Sequence, residues 1–307
     1  MNAQPTQKKP FSLGEFLFKD NVAALICALP FALGFLFFTA IPMVMSLYYS
    51  FTSFNILSPP RWIGLANYAR IFNDARLINS FRVTFYFAFT SVPLRLVFAL
   101  AIAMLLLKSS KMIGIYRAMY YLPSILGGSI AVAILWGRMF AIDGTINNIL
   151  GIFGLNQNFP WLGRTSTAIW VLILMAVWQF GSSMLIFLAS LKQIPSELYE
   201  ASNIDGAGKI GQFWRITLPL ITPTIFFNLV MQTINGFLTF TPAFVITQGG
   251  PMDSTMFYAL YMYWQTFEFG QAGYGAAMAW VILVVIGTAT GLLFFSKRYW
   301  VFDGGYS

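Results

Sequence analysis

Side chains that could bind a solute are concentrated in otherwise apolar parts of the sequence. Three amides, Asn228, Gln232 and Asn235, are spaced i, i+4 and i+7 and would share one face of a helix. Amides form planar hydrogen bonds and aromatic rings cover C–H faces, a combination that suits polyhydroxylated solutes such as sugars. The same amides could instead join neighbouring helices, and both roles stay open. The candidate solute-contacting residues are Trp178, Gln179, Asn228, Gln232, Asn235, Phe237 and Arg95.

Arg95 is the one cation in the middle of an apolar stretch. At a rise of about 1.5 Å per residue it lies close to mid-membrane, too deep to reach water easily. Burial there costs at least ~2.5 kcal/mol. Because no acidic residue occupies the middle of an apolar stretch, its partner must be a backbone carbonyl, water or an anionic solute. Arg95 is therefore either a clamp on a helix end or a recognition group for an acidic oligosaccharide.

The sequence lacks the residues that most catalytic chemistry needs. It contains no His, and Cys27 is its one cysteine, which disfavours a metal centre and excludes a disulfide framework. Without carboxylates or histidines inside apolar stretches, a proton-driven carrier and a membrane-embedded enzyme are both disfavoured. The nearest fragment to a phosphate-binding loop, Gly206–Lys209, is followed by Ile210 and lacks the required first glycine. We therefore expect a chain that is not an enzyme and holds no cofactor of its own.

Composition defines the elements that must position these residues. Of 307 residues 58% are hydrophobic and 9% are charged, and the mean hydropathy is +0.71, so a soluble domain is excluded. We predict an all-α polytopic membrane protein of about six transmembrane helices. The predicted segments are a tail at 1–20, a transmembrane domain at 21–296, a tail at 297–307, and spans at Asn21–Tyr49, Phe81–Leu107, Tyr116–Phe140, Ala168–Leu191, Leu220–Phe240 and Ala272–Phe295.

The distribution of cations orients these spans. If the N-terminus is cytoplasmic, eleven Lys and Arg residues lie inside and six outside, and all eight lysines are inside. Both termini are then cytoplasmic. The net charge of +8 is explained by this orientation and by anionic lipid, so no nucleic-acid partner is needed. The inner cations are Lys8, Lys9, Lys19, Lys108, Lys111, Arg117, Lys192, Lys209, Arg215, Lys297 and Arg298.

A long loop, residues 192–219, joins the fourth and fifth predicted spans on the inner side. It contains three of the ten acidic residues, Glu197, Glu200 and Asp205. Acidic residues favour the first turns of a helix, whereas Gly206 and Gly208 end one. The pattern predicts a short helix outside the bilayer. It is either a solvated surface helix or a docking element whose small residues let another backbone approach.

The residues of this loop resemble the signature of permease subunits of ATP-binding-cassette importers. The matching positions are Glu200-Ala201, Asp205-Gly206-Ala207 and Ile216-Thr217-Leu218-Pro219. Ser202 stands where the family pattern has a third small residue, Ala. Thr247-Gln248-Gly249-Gly250-Pro251, followed by Thr255 and Phe269-Gly270, resembles the carbohydrate branch of the maltose and glycerol-phosphate type. The likeness extends from the first helix to the last.

The resemblance implies an alternating-access importer in the bacterial cytoplasmic (inner) membrane. Glu200, Ala201, Asp205 and Gly206 would contact a nucleotide-binding ATPase subunit, which would hold ATP and Mg. A second, related permease subunit would complete the pathway. An external solute-binding protein would deliver carbohydrate to outer loops at 50–80, 141–167 and 241–271. An autonomous secondary carrier or channel for a small polar solute remains the alternative.

Overall fold

The computed structural model describes residues 20–55, 57–107 and 112–302, without the side chains of residues 20–26. Five of the predicted inner cations, Lys8, Lys9, Lys19, Lys108 and Lys111, lie outside the described residues. Most of the two predicted terminal tails lies outside them as well.

The described chain folds into helices interrupted by four π turns. The helices are α1 (Asp20–Phe35), α2 (Ile41–Ser50), α3 (Ala66–Asn73), α4 (Ala75–Leu105), α5 (Ile113–Leu126), α6 (Ile130–Met139), α7 (Thr145–Ile152), α8 (Thr165–Trp178), α9 (Gly181–Leu191), α10 (Ser196–Ile204), α11 (Lys209–Gln212), α12 (Leu218–Leu220), α13 (Thr222–Phe237), α14 (Tyr258–Tyr263) and α15 (Ala272–Trp300). The π turns are Leu36–Ala40, Phe213–Thr217, Ala243–Thr247 and Trp264–Glu268.

The described residues contain four helices long and apolar enough to cross a membrane, and six spans if each bent helix pair counts as one. The continuous spans are Cys27–Ser50, α4, Lys209–Phe237 and α15. The bent pairs, α5 with α6 and α8 with α9, form the third and fourth spans. The prediction of about six spans is thus confirmed when each bent pair is read as one crossing.

The third and fourth spans are not the single helices that the sequence predicts. α5 and α6 meet at 100°, and α8 and α9 at 40°. Gly127 and Gly128, poor helix formers, follow Pro123 at the sharper bend, and the Ser129 side chain caps α6 by accepting a hydrogen bond from Val132 N. Hydropathy alone could not reveal either bend, since both halves of each pair are equally apolar.

The fifth span begins at Lys209 rather than at the predicted Leu220. Pro219 and Pro223 do not stop the helix because each lies at the start of a helical segment, α12 and α13, where the missing N–H has no intrahelical partner to lose. The inner loop therefore ends at Gly208 rather than at Pro219. The short α10 that was predicted within it is present.

The second span, α4, lies at the centre of the bundle and contacts α8, α9, α13 and α14. Its outer half enters a core with Phe257 and Tyr258, and its inner half enters a second core with Phe187 and Leu191. Because lipid removes the hydrophobic driving force between spans, close approach at small residues must hold them together. Ala99 and Ala103 of α4, both fully buried, provide this contact.

A carboxylate ties the outer ends of three helices together. Asp74 caps α4 by accepting hydrogen bonds from the backbone N–H groups of Arg76 and Leu77 at 3.1 and 3.0 Å. Its other oxygen accepts from the hydroxyls of Tyr261 and Tyr274, each at 2.9 Å. Burial opposes ionisation, but these hydrogen bonds outweigh it and lower the pKa of Asp74. The ionised form of Asp74 therefore fixes α14 and α15 against α4.

Gly181, the first residue of α9, sets how closely the third and fourth spans approach. A Cβ atom there would lie 2.3 Å from the Tyr120 carbonyl oxygen, a backbone atom that cannot rotate away. Gly287 of α15 has nothing within 4 Å of such an atom. The two glycines therefore form a matched pair for substitution by alanine.

We predict that Gly181→Ala forces the third and fourth spans apart and sharply lowers the yield and thermal stability of the purified protein. Gly287→Ala should leave both unchanged, since an added methyl meets no atom of this chain. Size-exclusion yield and Tm in detergent measure the effect. Equal behaviour of the two variants would show that the contact at Gly181 is not needed.

Candidate functional site

A polar cavity of about 320 Å³ lies within the bundle where the bends of the third and fourth spans meet α4 and the end of α13. Its volume falls at the lower end of the range for small-molecule sites, roughly 300–1,000 Å³. We call it the polar cavity. Its polar lining residues are Ser91, Arg95, Gln179, Gln232, Asn235, Thr239 and Thr241.

The bend of the fourth span frees a backbone carbonyl that other spans satisfy. The Gln179 carbonyl accepts hydrogen bonds from the Arg95 guanidinium and from Ser124 Oγ, the latter at 2.8 Å. Within hydrocarbon such a group must find a partner. Of the two sequence interpretations of Arg95, the clamp on a helix end is the one that these contacts form. Arg95 also lines the polar cavity, and its Nε has no hydrogen-bond partner among the described residues.

The side chain of Gln179 joins the two bends. Its Nε2 donates to the Gly127 carbonyl at 3.2 Å, and Ser124 Oγ also accepts from Ser182 N at 3.0 Å. Gln179, Ser124 and Arg95 thus connect the second, third and fourth spans at one level. This junction forms one wall of the polar cavity.

The three amides of α13 differ in their surroundings. Gln232 is buried and donates to Ser183 Oγ at 3.1 Å, which joins α13 to α9, yet it also lines the cavity. Asn228 is buried and donates to the Thr224 carbonyl of its own helix at 3.2 Å. Asn235 lines the cavity with its side chain exposed. Asn235 is therefore available to a solute, whereas the buried Asn228 amide is used in a hydrogen bond within α13.

Three of the predicted solute-contacting residues, Asn228, Trp178 and Phe237, do not line the polar cavity. The Trp178 ring packs against Trp136 with 5.3 Å between centroids. The Phe237 ring is buried edge-on to Phe85 at 4.9 Å and faces an apolar groove between α4, α13 and α15. Nearness in sequence to the polar residues could not show this. Adjacent residues of a helix point about 100° apart, so Trp178 and Phe237 need not face the same cavity as the amides beside them.

Sequence analysis missed several residues of the polar cavity. Gly127 and Gly128 line it because the third span bends there, and Thr239 and Thr241 line it because α13 ends at Phe237. Ser124 completes the junction from outside the lining. The signal in the sequence was the Pro123-Ser124 and Gly127-Gly128 pattern inside an apolar stretch, which favours a break.

An apolar partition separates the polar cavity from a second one nearer the outer end. Leu238 and Phe240 line both cavities, and the outer one has a volume of about 690 Å³. Aromatic side chains dominate its wall, among them Tyr49, Tyr263 and Phe267. The Leu238 and Phe240 side chains therefore lie between the two cavities.

α10 stands outside the spans, with part of its surface uncovered. Glu200, Ala201, Asp205 and Gly206 are all exposed. Gly206 has φ +77°, the left-handed conformation that ends a helix and favours glycine. Ile204 and Ile210 beside them are 88% and 79% exposed. Apolar side chains so exposed on a short helix are typical of a surface that a partner covers.

A family model of binding-protein-dependent transport system inner membrane components matches residues 20–298. The chain belongs to this family. A probable ABC transporter permease protein, YesP of Bacillus subtilis, is 51% identical over 92% of this chain and 93% of its own length. SmoG of Agrobacterium fabrum, a permease protein of a sulfoquinovosyl glycerol transport system, is 32% identical over 87% of each chain.

The fold of this transport component has also been seen in crystals. The structure of a bacterial alginate ABC transporter, in complex with an alginate pentasaccharide-bound periplasmic protein, contains a chain that matches with a TM-score of 0.79. The match covers 93% of this chain and 97% of that chain at 20% sequence identity. The architecture of bent spans around a polar cavity is therefore the fold of an ABC permease.

We predict that Asn235→Leu raises the KM for solute uptake in proteoliposomes while the Tm stays close to that of the wild type, since this side chain is exposed in the polar cavity. Asn228→Leu should instead lower the Tm with little effect on KM, because that amide is buried and bonded within α13. An unchanged KM in Asn235→Leu would remove this residue from the solute pathway.

Proposed function

We propose that this chain is the permease subunit of an ATP-driven, binding-protein-dependent importer of oligosaccharides. The observation that carries the proposal is the uncovered helix α10, which presents Glu200, Ala201, Asp205 and Gly206 beside exposed isoleucines outside the spans. A partner subunit that covers this surface removes the cost of exposing Ile204 and Ile210. The family membership and the permease names of the relatives support the same conclusion.

The proposal assigns each surface to a partner. Nucleotide-binding ATPase subunits, which bind ATP and Mg, cover α10 from the cytoplasm. An external solute-binding protein meets the outer loops, and the alginate transporter is likewise in complex with a periplasmic protein. A second, related permease subunit completes the pathway within the inner membrane. Both termini of this chain are cytoplasmic, and neither nucleic acid nor a resident cofactor takes part.

The mechanism is alternating access driven from α10. ATP binding brings the two nucleotide-binding subunits together and draws the α10 helices of the two permease subunits toward each other. The fifth span, which follows α10 in sequence, carries this motion to Gln232 and Asn235 at the polar cavity. The cavity then opens toward the binding protein, and hydrolysis returns it to the inward-open state.

The polar cavity favours a carbohydrate and, through Arg95, an anionic one. Amides and hydroxyls of Gln179, Asn235 and Thr239 can bond sugar hydroxyls, and Phe240 offers an aromatic face. The Arg95 guanidinium lines the cavity and has more N–H donors than the one that bonds the Gln179 carbonyl, so another can bond a carboxylate or sulfonate. SmoG, a permease protein of a sulfoquinovosyl glycerol transport system, agrees with this choice.

We predict that Gly206→Pro abolishes co-purification of the ATPase subunits, because proline cannot adopt the positive φ of this residue. Glu200→Ala should weaken co-purification more modestly by removing one exposed contact. Gln193→Met, an exposed substitution on the same loop, is the control. Uptake of sugar by the reconstituted chain alone, without any ATPase, would instead support a secondary carrier or channel.

We predict that Arg95→Gln reduces uptake of an acidic oligosaccharide roughly ten-fold or more relative to a neutral one of equal length, since a charge-assisted hydrogen bond contributes about 1.5–3 kcal/mol. Arg95→Lys should retain part of the preference because it keeps the positive charge. Equal uptake of the two sugars by the wild type, or undiminished uptake of the acidic one by Arg95→Gln, would contradict an anionic substrate.

A further inference from the structure

Three hydrogen bonds fasten α10 to the start of the fifth span. Tyr199 Oη and Thr217 Oγ1 are 2.8 Å apart and share one hydrogen bond. Gln212 Nε2 donates to Ser202 Oγ at 2.9 Å and to Asn203 Oδ1 at 2.6 Å. We call this set of contacts the latch.

The latch occurs where the helix of the fifth span is least regular. Gln212 and Thr217 lie at the two ends of the π turn Phe213–Thr217, and Pro219 is two residues beyond it. Wide turns and prolines lack part of the regular i to i−4 hydrogen bonding that stiffens a helix. α10 is thus bonded to the fifth span on both sides of the π turn, which bridges the weak segment from outside.

The Ser202 hydroxyl makes two of the hydrogen bonds in this region. Its hydroxyl donates to the Tyr199 carbonyl at 2.8 Å and accepts from Gln212. The alanine expected at this position from the loop signature could do neither. The serine therefore adds an attachment point between α10 and the fifth span.

Burial makes these contacts durable rather than incidental. Thr217 is 5% exposed, and Tyr199, Ser202 and Gln212 are half-buried, whereas Glu200, Ala201 and Asp205 on the same helix are exposed. α10 therefore has one face bonded to its own chain and one face free. The free face is the one that the proposed function assigns to the ATPase.

We propose that Tyr199, Ser202, Gln212 and Thr217 are positioning residues that make α10 and the inner third of the fifth span move as one body. This inference rests on the proposed function, since it concerns how the motion of α10 is transmitted. Without the latch, α10 would follow the ATPase while the fifth span lagged behind. ATP hydrolysis would then continue with less solute transported per ATP.

The test compares Tyr199→Phe/Gln212→Met with the wild type in the complete transporter, reconstituted with its ATPase subunits and binding protein. Both substitutions keep side-chain volume and remove only hydrogen-bonding groups. We expect normal co-purification of the ATPase but at least three-fold less solute transported per ATP hydrolysed. Tyr116→Phe/Gln193→Met, at exposed positions, is the matched control and should couple like the wild type.

A second measurement needs no ATPase. In the permease in detergent, backbone amides of residues 199–208 should exchange with deuterium at least ten-fold faster in Tyr199→Phe/Gln212→Met than in the wild type. Wild-type exchange in this segment, or a wild-type transport ratio in the variant, overturns the latch. Failure of the ATPase to bind even the wild type overturns the proposed function instead, and the exchange result still decides whether the latch exists.

Rescue by crosslinking separates positioning from general structural damage. Cys27 is the one cysteine of the chain, so Cys27→Ser gives a background for Ser202→Cys/Gln212→Cys. Before crosslinking this variant should transport less solute per ATP, and a short bifunctional thiol reagent should restore the ratio. A ratio of solute to ATP that stays low after crosslinking would contradict a positioning role.

Discussion

The structure depends on one constraint, which is that a backbone carbonyl freed inside hydrocarbon must be hydrogen-bonded by protein. The fourth span frees such a carbonyl at Gln179, where α8 ends and the chain turns before α9. Arg95 and Ser124 both donate to it. The bend, the buried cation and the neighbouring bend of the third span therefore exist together. Without the bend of the fourth span Arg95 would lose its carbonyl partner, and without Arg95 the carbonyl would depend on Ser124 alone.

The polar cavity follows from this constraint. Two spans that bend at the same level cannot pack tightly against α4 and α13, so a space remains, and the groups that stabilise the bends line it. Gln179 both stabilises a bend and lines the cavity. Its backbone carbonyl accepts a hydrogen bond from Arg95, while its side chain donates to the Gly127 carbonyl at the cavity wall. A solute site in a membrane protein can thus be built from the groups that repair interrupted helices.

Much of this architecture was predictable from sequence because hydropathy reports burial in lipid directly. The spans, the short inner helix α10 and the two alternatives for Arg95 all followed from where polar residues interrupt apolar ones. The bends did not, because Gly127 and Gly128 can as easily pack inside a straight helix as break it. The start of the fifth span was misjudged at Pro219, since a π turn and a short helical segment accommodate that proline.

The candidate site was predictable in part, because polar residues that interrupt an apolar stretch can be recognised in the sequence. Gln232 and Asn235 were found through their spacing, and both line the polar cavity. Trp178 and Phe237 were selected for chemistry suited to a sugar, but their rings point toward Trp136 and Phe85. The direction in which a side chain points depends on the rotation of its span about the span's own axis. That rotation is set by packing partners distant in sequence. Thr239 and Thr241 enter the site only because α13 ends before them.

The fifth span connects the two functional regions, and its length explains why its inner end needs support. Gln212 and Gln232 are separated by about 30 Å at 1.5 Å per residue, close to the thickness of the hydrocarbon core. A helix of that length transmits displacement only if it is stiff, yet residues 213–223 contain a π turn and two prolines. Stiffness must then come from outside the helix. α10 supplies it through Tyr199 and Ser202, while Thr222 Oγ1 accepts from the backbone N–H of Phe302 and Thr224 Oγ1 donates to Ser190 Oγ. The π turn and the prolines of this span are thus each accompanied by hydrogen bonds to neighbouring segments.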